Sequence, residues 1–204
     1  MKRLHAIALG LLIAAVTVAG CAYRIPQQGW VTLIDNGSGI ENFDRLGDVN
    51  WRTEGGALVG DKGKGGHLVS KKSYKDFEIY AEFWADATTN SGIFIRASDP
   101  KKVGAANAYE VNIFDQRPGQ EYSTGAIVDF AMVDPKSPPK AGGKWNSFLI
   151  TAKGPDVTVK FNNQVTAHMR DSKFASGPFT LQFGNRGKEP GGAIKWRKVM
   201  IREL

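Results

Sequence analysis

The run YEVNIFD, from Tyr109 to Asp115, sets two carboxylates among strand-forming residues. In a regular strand Glu110, Asn112 and Phe114 share one face, and Val111, Ile113 and Asp115 the other. The two acids are therefore split unless a bulge before Asp115 reunites them. A carboxylate in a groove can serve as general base and, once protonated, as general acid. Glu110 is the candidate base and Asp115 a candidate acid. The alternative for Asp115 is structural, because Asp-Gln-Arg-Pro-Gly is turn chemistry in which Asp caps its own backbone. Arg96 closes the run NSGIFIR on the face of Phe94, where a guanidinium would stabilise a developing oxyanion or orient Glu110. Its alternative is a plain ion pair with Glu110 or Glu82. Asn90, Ser91 and Asn112 are candidate hydrogen-bonding groups, and Asn90 and Ser91 are equally suited to the turn that opens the strand. His67 follows a glycine-rich stretch and would make a proton shuttle near neutral pH, or else a solvated loop histidine. Tyr80, Trp84 and Tyr109 could form a flat apolar platform; Tyr80 and Trp84 lie opposite the apolar register of their own strand.

The elements that must position these groups read as antiparallel strands. Phe77, Ile79, Ala81 and Phe83 alternate with Glu78, Tyr80, Glu82 and Trp84, and Ile93 and Ile95 with Phe94 and Arg96. Further strands are expected at Ser147 to Thr151, around Val157, Val159 and Phe161, and around Phe179, Leu181 and Phe183. The last, Ile194 to Glu203, changes phase between Trp196 and Val199, as a bulge would require. Asn162-Asn163 reads as a tight hairpin, and GALVGDKGKGGHLV as two short strands around a mobile loop. Trp51, Trp145 and Trp196 are assigned to the core. No stretch supports a long amphipathic helix, so many short strands predict an all-β sandwich or jelly roll.

The first twenty residues differ from the rest. Lys2, Arg3 and His5 precede an apolar run from Ala6 to Ala19, too short and too abruptly ended to span a bilayer, which reads as a signal peptide over 1–20. Val18-Ala19-Gly20-Cys21 resembles the lipobox of bacterial lipoproteins, which implies a diacylglycerol on Cys21 and a tether over 21–28. Ala22 rather than Asp next to it implies the outer membrane, facing the periplasm. Cys21 is the single cysteine, so disulfides and cysteine metal sites are not expected in the remaining 184 residues. That length suits one domain over 29–204, expected as a monomer. The chain carries 27 Lys and Arg against 20 Asp and Glu; loss of Lys2 and Arg3 leaves 25, scattered without a basic stripe. That distribution, with the compartment, argues against a nucleic-acid partner.

NSGIFIR, YEVNIFD, STGAI at 123–127, GKWNSFLITAKG at 143–154, and the closing GPFTLQFG and IKWRKVMI together resemble the 3-keto-disaccharide hydrolase domain family. WRTEGGALV and SYKDFEIYAEFW fit its early strands. The resemblance implies a concanavalin A-like jelly-roll β-sandwich and activity on sugars oxidised at carbon 3, as hydrolase, lyase or hydratase. A ketone at carbon 3 acidifies the hydrogen at carbon 2, so a positioned base can form an enolate that expels the group at carbon 1. The acid spacing also resembles the catalytic strand of laminarinase-type glycosidases, with Asn112 where they carry Asp and Asp115 where they carry Glu. Their retaining mechanism would need the two carboxyls about 5 Å apart. On this reading Asn90, Ser91, Asn112 and His67 meet sugar hydroxyls, and Tyr80, Trp84 and Tyr109 stack on the ring. The rival is a non-catalytic carbohydrate-binding module of the cell envelope. No cofactor is expected, as no His pair or calcium-loop spacing is present; a calcium held by backbone carbonyls would leave no signature. GDKGKGG lacks the ending of a phosphate loop.

Overall fold

The computed structural model describes residues 28–185 and 191–204; Cys21 and the signal segment lie outside them. Thirteen strands follow one another with no α-helix among the described residues: β1 (Val31–Asp35), β2 (Phe43–Val49), β3 (Arg52–Glu54), β4 (Ala57–Gly60), β5 (Gly63–Ser70), β6 (Phe77–Ala85), β7 (Ser91–Ile95), β8 (Tyr109–Ile113), β9 (Lys144–Lys153), β10 (Asp156–Phe161), β11 (Gln164–Arg170), β12 (Thr180–Phe183) and β13 (Ile194–Glu203). They form two antiparallel sheets. One has eight strands in the order β11-β10-β9-β6-β13-β4-β3, with β1 also paired to β13; the other has five, β2-β5-β12-β7-β8. This is the jelly-roll sandwich expected of the strand pattern.

The period-2 alternation decides which face each strand buries. Phe77, Ile79, Ala81, Phe83 and Ala85 of β6 point inward, as do Phe148, Ile150 and Ala152 of β9. They meet Ile93, Ile95, Tyr109, Val111, Ile113, Leu181 and Phe183 from the other sheet. Phe83 sits at the centre, its ring 5.1 Å from Phe148 and 5.7 Å from Trp196. Each such side chain contributes about 1.5–3 kcal/mol of transfer free energy. The expected phase change in β13 is a bulge between Trp196 and Lys198 against β6. Asn162 and Asn163, at φ 47° and 68°, form the β10–β11 hairpin with the left-handed pair that such a turn needs.

Two expectations fail here. GALVGDKGKGGHLV does form two strands, but no mobile glycine loop separates them: β4 belongs to the eight-stranded sheet and β5 to the five-stranded one, so the chain crosses between layers at Asp61-Lys62. The glycines are themselves strand. Gly66 faces Gly47 across β2–β5, and a Cβ at Gly66 would lie 2.1 Å from the Leu46 carbonyl oxygen, so only glycine permits this approach. Trp145 is not core but 39 % exposed, because its register places it outward on β9; Trp51 and Trp196 are buried as expected.

The segment between β8 and β9 matters most for the site. It folds back so that residues 125–128 dock on the open edge of β8, with Gly125 N–H donating to Asn112 O (2.9 Å), Asn112 N–H to Ala126 O (3.0 Å) and Val128 N–H to Glu110 O (3.0 Å). Together with β7 on the other side, this pins the backbone of Glu110 from both edges.

Candidate functional site

Tyr109, Val111 and Ile113 of β8 enter the core, which turns Glu110 and Asn112 to the outer face of the five-stranded sheet. Glu110 pairs with Phe94 and Asn112 with Gly92 on β7. Gly92 is buried beneath the Glu110 side chain and makes room for it: a methyl built there would lie 3.5 Å from Glu110 Oε1 and 3.0 Å from the Val111 carbonyl oxygen. The Glu110 side chain is partly buried and makes no hydrogen bond to a described residue. Burial pushes its pKa up from the usual carboxylate range to about 7; the charge of Arg117 works against this and that of Asp129 adds to it.

His67 stands on the same face. It is a strand residue of β5 and 8 % exposed, not a loop histidine, with its ring edge-on to Phe94 at 5.1 Å between centroids. Nδ1 lies 3.0 Å from Thr180 Oγ1 on β12. Desolvation lowers its pKa to about 4, so the imidazole is neutral at physiological pH. Asn112 is fully buried; its Nδ2 donates to the Tyr122 carbonyl (2.6 Å), and its Oδ1 has no donor among the described residues. Gln182 Oε1 is likewise buried without one. The antiparallel register of β12 on β7 sets Gln182 opposite Gly92, so Asn112 and Gln182 flank the glycine from either side. Buried acceptors left unpaired are uncommon and demand an explanation, and these two lie on either side of the strand position that the Glu110 side chain covers.

The face thus unites Glu110, Asn112 and His67 and adds Phe94, Gly92, Thr180 and Gln182. The alternation of Thr180 and Gln182 against Leu181 and Phe183 marks them in the sequence as outward, but only strand order places them beside Glu110.

Other expected members lie elsewhere. The partnership of Arg96 with Glu110 is not formed. Arg96 adopts φ 54°, which breaks the strand register, and its guanidinium is 1 % exposed. It donates to the carbonyls of Lys75 (2.6 and 2.9 Å), Gly154 (2.8 Å) and Phe174 (3.4 Å) and to Asp76 (3.3 Å), stapling three loops together. Asp115 lies beyond the end of β8, with no bulge before it; it accepts from Thr124 Oγ1 (2.6 Å), Ala141 N–H (3.0 Å) and Gly142 N–H (2.8 Å), fastening the long connection. Asp115 is structural, though it ties down residues 124, 141 and 142 rather than capping its own turn, and the pair of acids is not assembled. Tyr109 is a core residue, its hydroxyl donating to Asp171 and accepting from Phe174 N–H (3.0 Å). Ser91 is buried and donates to the Gln182 carbonyl (2.6 Å), and Asn90 to that of Asn185 (2.6 Å). Tyr80 and Trp84 face outward from β6, on the opposite sheet from Glu110. Among the described residues, no group of three or more His, Asp or Glu could hold a metal ion.

Solved structures of the same fold include a presumptive glycosyl hydrolase from Parabacteroides distasonis ATCC 8503, 24 % identical, covering 86 % of this chain and 99 % of its own, with TM-score 0.68. A second such protein from that organism is 17 % identical over 86 % of this chain and 89 % of its own, TM-score 0.63. The carbohydrate-binding module CBM66 from Bacillus subtilis is 16 % identical over 86 % and 96 %, TM-score 0.56. At these identities the likeness establishes the fold. No curated protein matches the sequence. The model of the 3-keto-alpha-glucoside-1,2-lyase-like domain matches residues 29–202, which is nearly every described residue, and the chain belongs to that family.

Proposed function

We propose that this domain cleaves glycosides oxidised at carbon 3, with Glu110 as base. One observation supports the reading above others: a carboxyl recessed over Gly92, held near pKa 7, on the face that also bears His67. A carboxyl of that pKa is balanced between accepting and returning a proton near neutrality. Glu110 takes the hydrogen from carbon 2, the electron pair forms the enolate at carbon 3, and collapse of the enolate breaks the bond from carbon 1 to the leaving oxygen. Protonated Glu110 then returns its proton to that oxygen. With Nδ1 of His67 engaged by Thr180, Nε2 of the neutral ring is left to hydrogen-bond the ketone oxygen, so an uncharged imidazole polarises it. A lipid on Cys21 would hold the domain at the periplasmic side of the outer membrane.

Purified protein incubated with 3-keto-glucosides and with unoxidised glucosides is expected to turn over only the former. Glu110→Gln should lower kcat/KM about a hundredfold or more, the usual contribution of a general base; unchanged turnover removes the assignment. The alternative is a binding module on the same face, suggested by the shared fold of CBM66. It predicts calorimetric binding of intact sugar by wild type and Glu110→Gln alike, with no product.

A further inference from the structure

The outer face of the eight-stranded sheet takes no part in this chemistry, yet it is not an ordinary solvated surface. Its register lays out a grid. Lys195, Trp84 and Trp145 form one row across β13, β6 and β9. Met200, Tyr80, Leu149 and Lys160 form another across β13, β6, β9 and β10, and Val165 of β11, 60 % exposed, extends it. Trp84, Tyr80 and Leu149 are half-buried. The acids here are already neutralised: Arg197 donates to Glu82 (2.8 Å) and Arg202 to Glu78 (2.6 Å). Lys153, Lys160 and Lys195, by contrast, have no carboxylate within ion-pairing distance among the described residues. The face is therefore aromatic, apolar in stripes, and positive in excess.

We propose that this face docks on an anionic phospholipid bilayer. Half-exposed indole and phenol rings among lysines and arginines are the composition that settles at a headgroup interface. The cations stand over the rings, Lys195 Nζ 4.7 Å from the Trp84 centroid and the Arg197 guanidinium 4.4 Å from that of Trp145. A neutral sugar would have to displace them to stack on the indoles, whereas a lipid phosphate bonds them where they are. The chain enters the domain beside this face: the ring of Trp30 lies 5.2 Å under Arg202. A lipid on Cys21 would leave a tether able to reach at most roughly 30 Å. Docked this way, the Glu110 face points away from the bilayer and toward soluble substrate.

The test uses the unlipidated chain from residue 22 onward, which contains every described element, their shared core and the whole family match. Mixed phosphatidylethanolamine and phosphatidylglycerol vesicles should sediment it at low salt with a blue-shifted tryptophan emission, while phosphatidylcholine vesicles should not. Salt at about 0.5 M should release it. Reversing Lys153, Lys160 and Lys195 to Glu should weaken partitioning about a hundredfold, at roughly fivefold or more for each lysine lost. The melting temperature of that variant guards against misfolding, and Glu110→Gln should bind as wild type. Failure to sediment with phosphatidylglycerol, equal sedimentation with both compositions, or indifference to the triple reversal each overturns the proposal. Binding of soluble polyuronate in place of vesicles also overturns it, in favour of an acidic glycan.

Discussion

The two outer faces of the sandwich solve the same problem in opposite ways. On the eight-stranded sheet Glu78 and Glu82 each meet an arginine, and Tyr80 donates to Glu82 (2.8 Å). On the five-stranded sheet Glu110 has no hydrogen-bonding partner among the described residues, His67 is held neutral, and the amide oxygens of Asn112 and Gln182 lack donors. Both faces follow the same period-2 rule from the same kind of strand. The difference lies in depth: the first face is wet enough for its charges to pair cheaply, while on the second the chain is partly buried and polar groups are left desolvated. Desolvated, unpaired groups are a cost to the fold, and such a cost is best explained by a ligand.

If that contrast is right, removing the Glu110 charge should damage activity and help the fold. Its folded pKa of about 7 lies above the ordinary value of 4.5, so the folded state holds its proton more tightly than the unfolded chain. The sign is therefore a loss of stability as pH rises from about 4.5 through 7, reaching about 3 kcal/mol above that window. Glu110→Gln is expected to melt higher than wild type at pH 8 and alike at pH 4, while losing at least a hundredfold in kcat/KM. In wild type, kcat/KM should climb with pH up to about 7 and level off. A variant that melts identically at both pH values would mean the carboxyl is well solvated, and the contrast between faces would fall.

A smaller effect is expected from Gly92. A methyl there meets the Val111 carbonyl oxygen at 3.0 Å and Glu110 Oε1 at 3.5 Å, so the neighbouring backbone must give slightly and the carboxyl above it is pushed outward. Gly92→Ala should cost on the order of 1 kcal/mol in stability. It should raise KM about tenfold if the ligand lies against that carboxyl. An unchanged KM would move the ligand elsewhere on the sheet.

How far the sequence could reach depended on the range of the interactions involved. Alternation in β6, β10 and β13 is local, so the buried faces, the bulge after Trp196 and the Asn162-Asn163 turn were legible. Glu110 and Asn112 facing outward followed from the same rule. What was not legible was strand order. Nothing in the run of Tyr80 and Trp84 says that their sheet is the other one, and nothing near Gln182 says that β7 lies beside it. Arg96 misled because a positive φ at a non-glycine residue ends the register one residue early. The glycine run before His67 looked like a loop because close strand contact and loop freedom both select glycine.

His67 tests the desolvated face with a milder change. Its pKa of about 4 lies below the ordinary 6.5, so the unfolded chain binds the proton first and stability falls as pH drops from 6.5 to 4, opposite in sign to Glu110. The two together place the most favourable region between pH 5 and 6. His67→Gln should flatten the acid side of a melting-temperature profile and lower kcat about tenfold at unchanged KM, if the ring acts on the ketone.

The smallest effect should come from the satisfied face. Arg197 and Glu82 form a well-made pair at 2.8 Å, yet their side chains are 42 % and 23 % exposed. At such exposure the Coulomb gain is offset by screening and by the entropy of holding two long chains still, leaving about 0.5 kcal/mol. Arg197→Ala also uncovers the Trp145 ring, which costs about 0.5 kcal/mol beyond that. Its melting temperature should drop by only a few degrees, and turnover of the keto-glucoside should match wild type, because the two faces are separated by the whole core. A loss of turnover in Arg197→Ala comparable to that in His67→Gln would join the two faces functionally and break the distinction between them.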